Sequence, residues 1–247
     1  MMRNFKMLLA YDGSRYRGWQ RLGDSDRTIQ GKLEACLTAL LQQPVQISGA
    51  GRTDAGTHAM GQVASFRAET ALPAAQLLRQ LRARLPEDIG VLDLQEAAPR
   101  FHARLNAVCK TYRYRVWVSD RPCVFDRKYV YVCPGAYDLA AMRQAAQSLL
   151  GSHDFLAFSA NKPGKKSTVR QLDAISIEET REELVFSLTG DGFLHHMVRI
   201  LVGTLLEIGT GARPASSIAE IFASGRRADA GVTVPAQGLC LMEVQYH

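Results

Sequence analysis

The chain has 247 residues, 47% of them hydrophobic and 22% charged, with 20 glycines and 9 prolines. A chain of that length buries roughly 70 to 75% of the surface its unfolded form exposes, and this composition excludes disordered, collagenous and low-complexity classes. The formal net charge is +6, and the basic side is supplied by 23 arginines against 7 lysines, a bias that suits a polyanionic partner because the guanidinium fork matches phosphate and stacks on bases.

The apolar run at 7–10 is broken at once by Asp12, and nowhere do about 18 apolar residues follow one another without a charge, so neither a secretion leader nor a membrane span is expected. Five scattered cysteines, with no C-x-x-C and no histidine at ligand spacing, read as reduced residues of a cytoplasmic protein.

In chain order, residues 5–11 predict a strand. Ile29, Leu33, Cys36, Leu37, Leu40 and Leu41 fall on one helical face, with Thr28 as N-cap and Pro44 ending the run. Strands at 45–48 and 61–67, a helix at 74–85 and a strand at 89–94 complete the order β-α-β-β-α-β, the ferredoxin-like split βαβ.

The second half repeats the theme. Strands are expected at 108–118 and 128–132, a helix from its Asp138 cap through Leu150, strands at 172–178 and 183–189, a helix at 193–208, a short helix at 214–223 and a last strand at 239–246. The fold class is therefore α+β: two ferredoxin-like halves, residues 1–104 and 105–247 with the boundary near 99–107, joined through a mainly antiparallel sheet whose open face forms a central cleft.

Four segments carry candidate chemistry. The first is the loop Ser48-Gly-Ala-Gly-Arg-Thr-Asp-Ala-Gly-Thr-His58. Its Asp54 offers a carboxylate, with Arg52 two residues away to pair with it. Such a carboxylate can act as nucleophile or base while Gly49, Gly51 and Gly56 admit a substrate backbone; equally, the loop can be a solvated hairpin with a surface Arg–Asp pair.

The second segment, 97–119, has no acidic residue and interleaves Arg100, Arg104, Lys110, Arg113 and Arg115 with Tyr112, Tyr114 and Trp117. On a strand Tyr112, Tyr114, Val116 and Val118 share one face, either to stack on bases or to pack in a core. The third, Phe193-Leu-His-His-Met-Val-Arg199, places Leu194, Met197, Val198, Leu201 and Leu205 inward on a helix. His195, His196, Arg199 and Gly203 then lie outward; adjacent histidines diverge by about 100° there, which disfavours a shared metal. Arg199 either reaches a phosphate or carboxylate or is an ordinary surface arginine. The fourth, 161–170, is a basic Pro-Gly loop that either closes over RNA or simply connects two elements.

Taken in order, Tyr11-Asp-Gly-Ser-Arg-Tyr-Arg-Gly-Trp-Gln20, Gly51-Arg-Thr-Asp-Ala-Gly56 with His58 and Gly61-Gln-Val63, Leu85-Pro-Glu-Asp-Ile89, Phe101-His-Ala-Arg104, Lys110-Thr-Tyr-Arg-Tyr114 and His195-His-Met-Val-Arg199 resemble the tRNA pseudouridine synthase A family. The resemblance implies the pseudouridine synthase fold and isomerisation of uridines 38, 39 and 40 of the tRNA anticodon stem-loop. It also implies a homodimer working without metal, membrane or small-molecule cofactor. By position, Asp54 is similar to the catalytic aspartate and Arg52 to the residue that positions the flipped nucleotide. Tyr112 resembles the tyrosine that stacks on uracil and is a candidate for removing the C5 proton, and Arg199 resembles the arginine that contacts aspartate or phosphate. Lys110 and Leu239 are expected to contact the substrate, Leu239 as a wall of the base pocket.

Five positions depart from the family: Thr57 in place of valine, Ser65 in place of histidine, Arg82 and Arg84 in place of asparagines, and Cys240 in place of an aromatic. Two rivals fit less well. A tandem RNA-recognition module lacks its spaced aromatic pair in Gly61-Gln-Val-Ala-Ser-Phe-Arg67, and a metal-dependent nuclease lacks paired acidic ligands near Asp54.

Overall fold

A computed structural model describes residues 2–161, 164 and 167–247, so Lys162, Pro163, Lys165 and Lys166 of the basic loop lie outside the described residues. Two compact units form, one of residues 1–108 with 240–247 and one of residues 109–239. The order of elements in the sequence places 240–247 with the second half. The strand that carries them runs parallel to a first-unit strand, pairing Cys240 with His58 and Leu241 with Ala59, and this ladder draws the chain end back.

In the first unit the elements are β1 (Met2–Tyr11), α1 (Ile29–Leu41), β2 (Ile47–Gly49), β3 (His58–Glu69), α2 (Ala74–Arg82), β4 (Ile89–Glu96) and the returning β10 (Leu239–Tyr246). The sheet order β4-β1-β3, with β2 antiparallel on β3, is the ferredoxin-like arrangement the sequence predicts. Helix α1 starts where expected because the Thr28 hydroxyl accepts the Gly31 N–H at 3.2 Å, and it ends as Gln42 turns left-handed at φ 53°. Alternate β1 side chains Phe5, Met7, Leu9 and Tyr11 are buried, as are Leu33 and Leu37 of α1 and Leu77 and Leu81 of α2. The ladder between β1 and β3 slips between Leu9 and Tyr11, a bulge at the strand end that leads into the site.

The second unit contains β5 (Ala107–Trp117), β6 (Tyr131–Val132), α3 (Leu139–Gln147), β7 (Gly151–Asp154), β8 (Val169–Glu179), β9 (Glu183–Gly190), α4 (Met197–Gly209) and α5 (Ser217–Ser224). Its sheet runs β5-β9-β8-β7 in antiparallel pairs, with two-residue β6 parallel to β5. The molecule is thus mixed α+β with mainly antiparallel sheet, as expected. Strand β7, not expected from sequence, begins at Gly151, whose φ of +95° turns the chain just after the α3 region.

Helix α4 starts four residues later than predicted. His196 adopts φ 63° as the N-cap, so Phe193, Leu194, His195 and His196 precede the helix. Gly203 is also buried, its missing Cβ replaced by the Val232 carbonyl, because α4 is apolar on nearly every side and is wrapped all round. The His195 and His196 rings lie 3.9 Å apart at 40°, and the helical divergence that would separate them does not apply.

Candidate active site

The Asp54 loop joins β2 to β3 and is gripped from behind by the segment that follows β1. Trp19 N–H donates to the Thr53 carbonyl at 3.0 Å, and Gly56 N–H donates to the Tyr16 carbonyl at 3.3 Å. The Tyr16 hydroxyl in turn donates to Asp88 Oδ1 at 2.5 Å, and Asp12 N–H donates to the Asp88 carbonyl at 3.0 Å. Three motif stretches that are far apart in sequence, 11–20, 51–58 and 85–89, therefore form one support. His58 closes it, its Nδ1 accepting the Gly13 N–H at 3.1 Å.

The glycines serve this grip more than they admit a ligand. A Cβ at Gly49 would lie 2.5 Å from the Trp19 indole, and one at Gly18 would lie 2.7 Å from the Thr53 carbonyl oxygen. Gly56 has φ +78°, the value demanded at the third position of a type II turn, and Thr57 N–H closes that turn onto the Asp54 carbonyl at 3.1 Å. Thr53 is buried, Arg52 exposed and Asp54 half-buried, so the loop presents the arginine and the aspartate while hiding the residue between them.

In the second unit, Tyr112 and Tyr114 share the inward face of β5, as the strand alternation predicts, and Arg113 is exposed on the other face. Tyr114 is wholly buried, with its hydroxyl donating to the Pro235 carbonyl at 2.7 Å; burial pushes its phenol well above the usual range, opposed by the positive charge of Arg199. Tyr112 is 7% exposed and meets the Phe193 ring edge-to-face at 5.0 Å. Arg199, in the first turn of α4, is half-buried and donates from Nε to the Val234 carbonyl at 2.7 Å. Tyr114 and Arg199 thus hold neighbouring carbonyls of one segment, which runs on through Gly238, seated on the Tyr114 ring, to Leu239, 6% exposed. Lys110 sits half-buried in β5 opposite Gly190.

Not every expected basic residue is presented to solvent. Arg115 forms a two-pronged pair with Glu183, at 2.8 and 2.7 Å, and approaches Asp126 at 3.4 Å, so it braces β5 to β9. Tyr11, Tyr16, Gln62 and Asp88 support the loop, and none of them stands out as a support in the sequence. Their only sequence signal was membership of the motif stretches.

An α+β chain built on a ferredoxin-like unit, with an aspartate held out on a braced loop, matches the family model described as tRNA pseudouridine synthase over residues 7–106 and 145–247, and the chain belongs to that family of RNA-modifying isomerases. It is 40% identical over 245 residues, 99% of its length and 100% of the relative's, to tRNA pseudouridine synthase A 2 of Bacillus cereus strain ZK / E33L. Over the same span and coverage it is 41% identical to tRNA pseudouridine synthase A of Geotalea uraniireducens and to tRNA pseudouridine synthase A 1 of Clostridium tetani. No described helix is long and apolar enough to cross a membrane.

Proposed function

We propose that the chain converts uridines 38, 39 and 40 of the tRNA anticodon stem-loop to pseudouridine, with Asp54 as the reacting carboxylate. The observation that supports this most directly is the loop itself: a glycine-bounded turn, fixed at Gly51, Thr53 and Gly56, that leaves Asp54 and Arg52 presented. The reaction breaks the C1′–N1 bond, turns the uracil and joins C1′ to C5; the C5 proton leaves and N1 gains one, so neither redox partner nor water is consumed. An ionised carboxylate can attack C1′, attack C6 or take the 2′ proton, and each role needs it rigidly placed beside the sugar.

In this reading Arg52 positions the flipped nucleotide and Arg199 contacts the carboxylate or a phosphate. Tyr112 stacks on the uracil, with Lys110 and Leu239 at the edges of the pocket. Flipping a base out of a stem costs a few kcal/mol, which arginine contacts to phosphate offset. The same reading takes the protein to be a cytoplasmic homodimer without cofactor, and sedimentation velocity on the purified protein checks the dimer.

The decisive assay is tritium release from tRNA carrying C5-labelled uridine, with no added metal or nucleotide. Wild-type protein should release tritium. Asp54→Asn should bind tRNA and release none, and wild-type release by that variant would refute the role of Asp54. Tyr112→Phe keeps the stacking ring and removes the hydroxyl, which separates stacking from proton removal.

A further inference from the structure

Beneath the Asp54 loop runs a chain of uncharged hydrogen bonds that the chemistry above does not use. Gln62, 0% exposed on β3, donates from Nε2 to the Gly51 carbonyl at 2.9 Å and to the Tyr11 hydroxyl at 3.4 Å. Its amide orientation follows from the Gly51 carbonyl, which can only accept. Tyr11, 5% exposed at the bulged end of β1, then has its own proton for Thr53 Oγ1 at 2.9 Å. Thr53 is 6% exposed, and its carbonyl is already held by Trp19 N–H.

We propose that Tyr11, Gln62 and Thr53 are positioning residues for the isomerisation, a buried brace that sets where the Asp54 carboxylate stands. The inference rests on the reading of Asp54 as the reacting group. The brace pins the backbone at 51 and the side chain at 53, whose carbonyl Trp19 holds separately, and these two residues flank Arg52 and lead directly into Asp54. Residues pinned at alternate positions present the side chains between and after them, and Arg52 is exposed and Asp54 half-buried on either side of buried Thr53.

None of the three groups carries a charge, so the brace acts on the loop through position and not through an added charge. Tyr11 keeps its proton throughout the working range, since burial pushes its phenol up. Misplacing a reacting group by about 1 Å costs on the order of a hundredfold in rate, more than the loss of one hydrogen bond costs in folding. The signature of a positioning role is therefore a fall in kcat with KM little moved.

The test is single- and multiple-turnover tritium release by Tyr11→Phe, Thr53→Val, the double variant and Thr53→Ser, with Asp54→Asn in parallel and circular dichroism to verify folding. Each of the first two should lose about tenfold to a hundredfold in kcat, with KM for tRNA within about twofold. Because both remove the same hydrogen bond, the double variant should be no worse than the worse single, and Thr53→Ser should recover most of what Thr53→Val loses.

Wild-type kcat in folded Tyr11→Phe and Thr53→Val would overturn the proposal, as would losses that multiply in the double variant. Thr53→Val carries the test if Tyr11→Phe does not fold, and unfolding of both would make the brace structural and overturn it as well. An inactive Asp54→Asn beside fully active brace variants refutes the brace alone, whereas an active Asp54→Asn refutes the site reading on which it stands.

Discussion

Replacing Gly18 by alanine should damage the molecule in two separable ways. Gly18 has φ +95°, a conformation that costs an L-residue about 1–2 kcal/mol, and the new Cβ would sit 2.7 Å from the Thr53 carbonyl oxygen and 3.1 Å from Ala55 N. Both neighbours are backbone, so relief requires moving the Asp54 loop, and overpacking of that kind costs about 1–3 kcal/mol. The sum is about 2–5 kcal/mol, a large part of the 5–15 kcal/mol that typically separates folded from unfolded chains. Gly225 supplies the control: its φ is +62° but nothing lies within 4 Å of its Cβ position, so Gly225→Ala isolates the conformational cost at about 1 kcal/mol. Urea titration followed by tryptophan fluorescence and circular dichroism should rank the variants in that order. Tritium release, corrected for the folded fraction, should fall only in Gly18→Ala. Equal stabilities, or a fully active Gly18→Ala, would show that the loop is not held by this backbone contact.

Other outcomes follow from single contacts. The Thr57 hydroxyl is buried with no hydrogen-bond partner among the described residues, so Thr57→Val should raise stability by about 1 kcal/mol, measured by urea midpoint; a loss would point to an unrecognised acceptor. Arg115→Ala should cost about 1–3 kcal/mol through its Glu183 pair while leaving the salt dependence of tRNA binding unchanged. Exposed Arg113→Ala should cost little stability, and a reversed pattern would place Arg115 on RNA. Tyr11, Tyr114 and Tyr246 all have phenols raised by burial. Their protonated forms are favoured by the fold, so this stabilisation is intact below the unfolded value of about 10 and is lost as pH climbs through the raised values. A 295 nm titration should show these phenols ionising only as the ellipticity collapses. Reversible ionisation of all eight tyrosines near pH 10 in folded protein would contradict it.

What was legible in the sequence was local. The Thr28 cap, the α1 stripe and the alternation along β1 and β5 are settled within a few residues of themselves, and those elements came out within a few positions of their predicted ends. The start of α4 was not legible, because it depends on His196 taking a left-handed conformation that its sequence neighbours do not demand. The order of elements was readable, but not that residues 240–247 would leave their half, since that depends on a ladder to His58 and Ala59 far back in the chain. In the site, Asp54 stood out through its glycines and Arg52. Its supports did not, because Tyr11 meets Thr53 across 42 positions and Tyr16 meets Asp88 across 72. Of the departures from the family, Ser65 has a use of its own, accepting the Ala103 N–H at 3.0 Å, and Arg82 caps the Val91 and Leu92 carbonyls at 2.8 and 2.7 Å.

The path of β10 bears on how the protein is made. Translation delivers residues 1–108 first, yet that unit lacks a sheet strand until 240–247 arrive, with the 131 residues of the other unit in between. While the ribosome completes them, part of the β3 edge around His58 stays open beside the Asp54 loop, a template for stray strands in a crowded cell. The first unit is thus finished only after the second has been made, and a chain interrupted before residue 240 would keep an unsealed flank next to Asp54.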